Sequence, residues 1–411
     1  MKKTLIIGCV WVEPNSSAAG SRMLQLIELF LKEGYAVTFA TTTQKTANAF
    51  DLKALGVEEI KIELNSSSFD DFVKELNPTI VVFDRFMMEE QFGWRVADIC
   101  PTAIRILDTE DLHSLRKVRQ EAIKKEQDFL IPDLLNSDIA KREIAAIYRC
   151  DLSLIISTFE MELLQNVFNI DRSLLCHLPF LLETITTEIQ EDWKTFEERN
   201  YFVTIGNCLH APNVDAILQL KKHIWRAVRK QLPNAEMHVY GAYPTQQVLQ
   251  LHDKKEGFLI KGFTENASEV ISKAKVVLAP IRFGAGIKGK LTEAMLNGTP
   301  SITTKIGAEG MHAELPWNGF VIDSHDAFIA NAIKLYTDRE LWKKSQKKGV
   351  EIINQLYDKD KITSSFLSRI EVLKSNLKQL RSKNFIGSIL QYQTLRSTKY
   401  MSKWIEEKNK K

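Results

Sequence analysis

Three cations and three glycines fall within nine residues in Arg282-Phe283-Gly284-Ala285-Gly286-Ile287-Lys288-Gly289-Lys290. Glycine lets a ligand approach the backbone closely, and Arg282, Lys288 and Lys290 supply charge for an anion. The apolar run Val276 to Ala279 before this stretch reads as a buried strand, ended by Pro280. After it, Leu291 to Leu296 reads as a helix stopped by Asn297-Gly298, and Ser301 to Thr304 as the next strand. The loop therefore brings cations and backbone N–H groups to a helix start, where the macrodipole also favours an anion such as phosphate. Glu293 lies about a turn into that helix. A carboxylate repels phosphate, but it suits two adjacent sugar hydroxyls, as on a ribose, because it only accepts hydrogen bonds. The competing reading is a tight turn with solvated lysines.

Further downstream stand Glu293-Ala294-Met295, Gly298-Thr299-Pro300 and Gly307-Ala308-Glu309-Gly310. With these the stretch resembles the donor-site signature of group 1 (family 4) glycosyltransferases of the GT-B fold. The first of that family's two glutamates would fall at Ala285. Arg282 to Lys290 instead fits a branch carrying Arg-x-Gly-x-Gly-x-Lys-x-Lys. The resemblance implies a nucleotide-sugar donor, a glycan or lipid-linked acceptor, retention of anomeric configuration, no catalytic metal and no separate cofactor. It assigns Lys288 and Lys290 to catalysis at the leaving diphosphate, Glu293 to the ribose, and Arg282, Gly284, Gly286 and Glu309 to the donor. Gly206, Asn207 and His210, after the second domain's first strand, would line the donor as well. In the first domain, Gly20 and Arg22 would lie on the acceptor side, and His113 would face the reacting sugar, with Asp111 as its rival. A polar turn in which Ser21 caps the helix competes at Gly20. Two other functions stay open: a nucleotide-sugar epimerase of the same fold, and a nucleotide-sugar-binding protein without catalysis.

The elements that must position these residues alternate. Leu5 to Val12 reads as a strand, Ser21 to Lys32 as a helix with Gly34 as its stop, and Tyr35 to Thr42 as a second strand. Strand patterns recur at Ile60–Leu64, Thr79–Asp84, Ala103–Leu107 and Leu152–Ser157, and Lys117 to Tyr148 reads as a helical excursion broken at Pro132. Tyr201 to Gly206 opens a second series of strands, with a helix from Val214 to Lys230. Alternation of this kind argues for parallel sheets covered on both faces. The expected fold class is α/β, GT-B, with two Rossmann-like parallel-sheet domains facing across a cleft. The division is 1–185, a linker at 186–200, 201–384, and a C-terminal helix at 385–411 returning to the first domain. No G-x-G-x-x-G follows the first strand and no G-K-[ST] occurs, which speaks against an NAD enzyme and a P-loop ATPase. The one Asp-x-Asp, Asp358-Lys359-Asp360, falls between helices.

With 411 residues, 44% hydrophobic and 26% charged, the chain suits two ordinary globular domains. Its net charge of +3 is unevenly spread. Residues 372–411 hold ten basic and two acidic residues, net +8, and the rest holds 45 basic against 50 acidic, net −5. A nucleic-acid binder spreads basic charge over its folded domains, so none is expected as a partner. Five scattered cysteines without a C-x-x-C pair fit a reducing cytosol, and no apolar run reaches the ~18 residues of a membrane span. In the tail, Ile386, Ile389, Leu390, Gln393, Tyr400, Met401, Trp404 and Ile405 fall near helical spacing, interleaved with Arg396, Lys399, Lys403 and Lys408. Two readings follow: a basic helix at the inner face of a membrane, or a helix crossing back onto the first domain. The second is favoured, because an apolar stripe containing Trp404 needs cover.

Overall fold

The computed structural model describes residues 2–409, without the side chains of residues 395 and 396; the expected role of Arg396 in the tail falls outside the described side chains. Strands β1 (Lys3–Gly8), β2 (Ala36–Thr41), β3 (Glu58–Lys61), β4 (Ile80–Asp84), β5 (Ile104–Asp108), β6 (Leu152–Ile155) and β7 (Leu175–His177) form one sheet. Strands β8 (Tyr201–Ile205), β9 (Met237–Tyr240), β10 (Phe258–Gly262), β11 (Ala274–Ala279), β12 (Ser301–Thr303) and β13 (Gly319–Val321) form a second. Their orders are β3-β2-β1-β4-β5-β6-β7 and β10-β9-β8-β11-β12-β13, with every pairing parallel. The central strands are continuous apolar runs, such as Ile80 to Phe83, because helices bury both faces. Strand order reverses between β1 and β4 and between β8 and β11. Ligands of such sheets bind beyond the strand ends at these crevices.

The helices that matter for the site are α1 (Ala18–Lys32), α2 (Ser68–Leu76), α3 (Trp94–Ile99), α4 (His113–Lys124), α5 (Ile131–Asn136), α6 (Asp138–Arg149), α7 (Thr158–Asn166), α8 (Ala211–Gln219), α9 (Ala267–Lys273), α10 (Gly289–Leu296), α11 (Lys359–Lys383) and α12 (Phe385–Asn409). Several expected boundaries move. β1 ends at Gly8, not Val12: Trp11 and Val12 are buried by a loop, with Trp11 Nε1 donating to Thr43 O at 3.1 Å and Phe50 N to Val12 O at 2.8 Å. Ser17, not Ser21, caps α1, its hydroxyl accepting from Gly20 N at 3.0 Å. Pro132 does not break a helix but sits in the first turn of α5, where a missing N–H costs nothing; the break lies between α4 and α5. The helix expected from Val214 opens at Ala211. β7, β12 and β13 carry three residues each, and of these only β12 was marked in the sequence, by the Asn297-Gly298 stop before it.

The C-terminal chain returns to the first sheet earlier than the expected boundary at 384. In α11, Phe366, Ile370 and Leu373 are buried with Ile6, Phe30 and Phe39 of the first sheet's core, and Phe30 meets Phe366 edge-on with ring centroids 6.2 Å apart. Their spacing of four and three residues is one helical stripe. α12 then crosses α6 and α3. Asp358 caps α11 by accepting from Asp360 N and Lys361 N, both at 3.1 Å.

Candidate active site

The glycine-rich loop leaves β11 beside the reversal point of the second sheet and feeds α10. Gly286 has φ +63°, and a Cβ there would stand 2.9 Å from the Cβ of Asp111 in the other sheet's loop, so only glycine serves. Lys288 Nζ donates to Gly286 O at 2.8 Å, folding the side chain back over the loop. Lys290 Nζ donates to Asn213 Oδ1 at 2.8 Å, and Asn213 Nδ2 donates to Asn207 O at 2.9 Å. Gly206 lies against that Asn213 amide, so Gly206, Asn207 and Lys290 share one wall. Burial pulls both ammonium groups down to about 8. Glu293 is flanked by the start of α9, where Ser268 Oγ donates to its Oε2 at 3.3 Å; burial raises its carboxyl.

From the first sheet, the loop after β5 and the start of α4 face the lysines. Arg116 holds Asp111 with two bonds of 2.7 and 3.2 Å, and His113 Nε2 lies 3.3 Å from Asp111 Oδ1. Burial works against the Asp111 charge, but Arg116 and His113 outweigh it and hold the carboxyl below the usual range. Burial takes His113 down to about 4, so its imidazole is neutral at pH 7. Its backbone N–H donates to Glu143 Oε1 at 2.9 Å. His210, exposed at the start of α8, lies within electrostatic reach of Arg116, Asp111 and Lys290.

Direct contacts join the two units around this crevice. Arg119 donates to Glu309 at 2.7 and 2.8 Å and to Gly284 O at 2.9 Å. Glu160, at the start of α7, accepts from Leu112 N and Gly286 N, each at 2.9 Å, through the same Oε1. Tyr243 donates to Glu13, with its hydroxyl 2.9 Å from Oε2. Ala285 is buried in the first sheet's apolar cluster, an environment hostile to the glutamate the resemblance would put there.

Lys288, Lys290, Gly284, Gly286, Gly206, Asn207, His210, His113 and Asp111 thus gather around one crevice, and Glu293 opens toward α9. Three expected site residues are otherwise engaged. Arg282 is forked onto Asp215 of α8 at 2.9 and 2.5 Å, so its fork is not aimed freely at a diphosphate. Glu309 is taken by Arg119. Arg22 is buried, donating to Asp108 at 2.7 Å and Leu178 O at 2.6 Å, which ties α1 to β5 and to the residue after β7 rather than presenting a cation to an acceptor. Gly20 has a packing role: a Cβ would meet Glu13 O at 2.3 Å. Glu160, Arg119, Glu143 and Asn213 were not legible as site residues. Ser157-x-x-Glu160 has the form of a capping box, and Ser157 does accept from Glu160 N at 3.1 Å. Its carboxylate, however, reaches a backbone group 126 residues away.

Residues 199–338 match the family model described as glycosyl transferases group 1. A probable sucrose-phosphate synthase 2 from Oryza sativa subsp. japonica is 38% identical over 85 residues, which is 20% of this chain and 9% of the rice protein. Solved structures are similar over nearly the whole chain. A variant of S. aureus TarM, in complex with fondaparinux, alpha-GlcNAc-glycerol and UDP, is 11% identical with TM-score 0.68, over 90% of this chain and 99% of that one. Sucrose-phosphate synthase from Thermosynechococcus elongatus is 13% identical with TM-score 0.65, over 91% and 100%. The pneumococcal O-GlcNAc transferase GtfA, with UDP and GlcNAc, is 14% identical with TM-score 0.67, over 90% and 99%. The two facing sheets are the GT-B fold, as expected from sequence.

Proposed function

We propose that this protein is a glycosyltransferase that moves a sugar from a nucleotide-sugar donor to a glycan or lipid-linked acceptor, retaining anomeric configuration and using no catalytic metal. The observation that carries the reading is the meeting of Lys288, Lys290 and the N-terminus of α10 with His113 and Asp111 across the crevice. When the bond from the anomeric carbon to the diphosphate breaks, negative charge grows on the leaving phosphate while the sugar becomes oxocarbenium-like. Two half-buried ammonium groups fixed beside backbone N–H groups stabilise that charge with little reorganisation, commonly the largest catalytic effect. Glu293, whose charge is poorly solvated, gains from donors such as a ribose diol. His113, neutral at pH 7, offers a hydrogen bond to the sugar rather than a charge. Retention and metal independence rest on the sequence resemblance. UDP stands in the TarM and GtfA structures, so uridine diphosphate sugars are the first donors to test.

The test is donor binding by thermal shift across a panel of nucleotide sugars, followed by turnover with and without acceptors. Transfer only in the presence of an acceptor supports the proposal. Epimerised donor without acceptor makes the protein an epimerase, and binding without turnover makes it a binding protein. Glu293→Ala should weaken nucleotide binding by about 1.5–3 kcal/mol, the value of a hydrogen bond to a charged group, with the fold retained. Equal affinity removes Glu293 from the site.

A further inference from the structure

α12 packs on the first unit with its polar side inward. Gly387 is buried so closely that a Cβ would meet Tyr148 O at 2.2 Å. Gln391 Oε1 accepts from Arg105 Nη1 at 3.0 Å, and Ser402, only 4% exposed, accepts from Arg95 Nη2 at 3.0 Å. Lys399 pairs with Asp98 at 2.7 Å, and Glu406 accepts from Ser67 at the start of α2. The apolar residues face the other way: Phe385 is 70% exposed, Tyr400 68% and Trp404 59%, and Ile386, Ile389 and Met401 are exposed with them. At ~100° per residue these six fall within one half of the helix circumference. The expectation that a crossing helix would cover the Trp404 stripe is therefore corrected: the helix crosses, and the stripe stays outside.

From this inverted helix we propose that the outer face of α12 is a docking surface for an anionic membrane. The stripe is linear, running along a helix roughly 37 Å long at ~1.5 Å per residue, as suits a flat apolar boundary. Trp404 and Tyr400 carry an apolar body and a polar tip, the ring type favoured at the headgroup level. Lys403 and Lys408, on the same helix, are exposed with it, and the Lys408 ammonium lies 5.2 Å from the centre of the Trp404 ring. Residues 372–411 carry +8; Lys374, Arg381 and Lys399 among them are paired with Glu371, Asp151 and Asp98, and the remaining excess attracts anionic lipid. That same charge opposes a second copy on this face, since a two-fold contact sets each patch against itself. Among the described residues no helix is long and apolar enough to cross a membrane, so the contact is peripheral.

The experiment is co-sedimentation of the full chain with vesicles of phosphatidylcholine alone, or of phosphatidylcholine and phosphatidylglycerol in equal parts. Binding to the anionic vesicles should be stronger by about tenfold or more and should fall with salt. Tyr400→Ser with Trp404→Ser, and separately Lys403→Glu with Lys408→Glu, should each lose about tenfold or more of that binding without lowering Tm, because the side chains are exposed. Equal binding to both vesicle types, or unchanged binding in both variants, overturns the proposal. So does a wild-type dimer that Trp404→Ser dissolves and that binds no vesicles, which assigns the face to a second copy.

Discussion

Arg119, on α4 of the first unit, grips Glu309 of the second through two parallel N–H···O bonds of 2.7 and 2.8 Å, and the same guanidinium donates to Gly284 O at 2.9 Å. Phe129 and Phe159 stand 5.2 and 5.3 Å from its centre. One side chain thus ties the helix that begins with His113 to the loop that carries Lys288. Arg119 is buried and Glu309 half-buried, so removing the guanidinium leaves a carboxylate that water reaches in part, a loss of about 1–3 kcal/mol. Arg119→Ala should therefore lower Tm and loosen the closed arrangement, seen as a larger radius of gyration in solution scattering. Glu309→Gln should cost less, because its amide oxygen still accepts. An Arg119→Ala protein with unchanged Tm and radius of gyration would show that the pair holds nothing together.

His113 bears on the reaction more than on the donor's affinity, since the nucleotide is expected on the second unit. His113→Ala should lower transfer by about 10²-fold, the lower end for a positioned acid–base group, while nucleoside diphosphate binds as before. If transfer survives unchanged, Asp111 is the next candidate. Because Arg116 and His113 already occupy that carboxylate, Asp111→Asn should act partly through a displaced His113.

What was legible in the sequence is what local rules govern. The strand, glycine loop and helix from Val276 to Leu296 and the stop at Asn297-Gly298 are written in neighbouring residues, and Gly298 takes φ +59° as the helix end requires. The partner of a charged group is not local. Arg282 was read as a phosphate ligand because it lies in the loop, yet its partner Asp215 is 67 residues earlier. Glu309 falls in the family's glycine turn, and its partner Arg119 lies 190 residues away. Helical spacing in α12 identified an apolar stripe but carries no information about which way the stripe faces. There, glycine and hydroxyl contacts on the opposite side decided the outcome.

The lysines make donor binding pH-dependent in a definite direction. Burial lowers Lys288 and Lys290 to about 8 from an ordinary value of 10.5, so both begin to lose charge well below the range of exposed lysine. Affinity for a nucleoside diphosphate should hold between pH 6.5 and 7.5 and fall as pH rises through 8 to 9. A bound diphosphate favours the charged forms, so the fall begins at the free groups' value of about 8 and continues up to the higher value of the complex. Titration calorimetry across that range checks it. Lys290→Arg, which stays charged, should shift the fall to higher pH or shrink it. A flat affinity up to pH 9.5 would remove both ammonium groups from the anion site.

Glu160 makes the seam itself sensitive to pH. Its Oε1 accepts from one backbone N–H of each unit, while burial raises its carboxyl to about 8 against an ordinary 4.5. The folded state therefore keeps a proton between about pH 4.5 and 8 that the unfolded chain has released. The associated stability is full below the lower value and is lost as pH rises through the upper one. Glu160→Gln keeps an oxygen for both N–H groups and has no proton to lose, so its advantage in Tm over wild type should widen steadily from pH 5 to 8. Glu143, raised to about 7, titrates in the same window but is common to both proteins and cancels in the comparison. Glu160→Ala leaves Leu112 N and Gly286 N without an acceptor and should be less stable than Glu160→Gln by about 1–3 kcal/mol at every pH. Parallel Tm curves for wild type and Glu160→Gln would mean that Glu160 is ionised throughout, held by Lys288 across the loop.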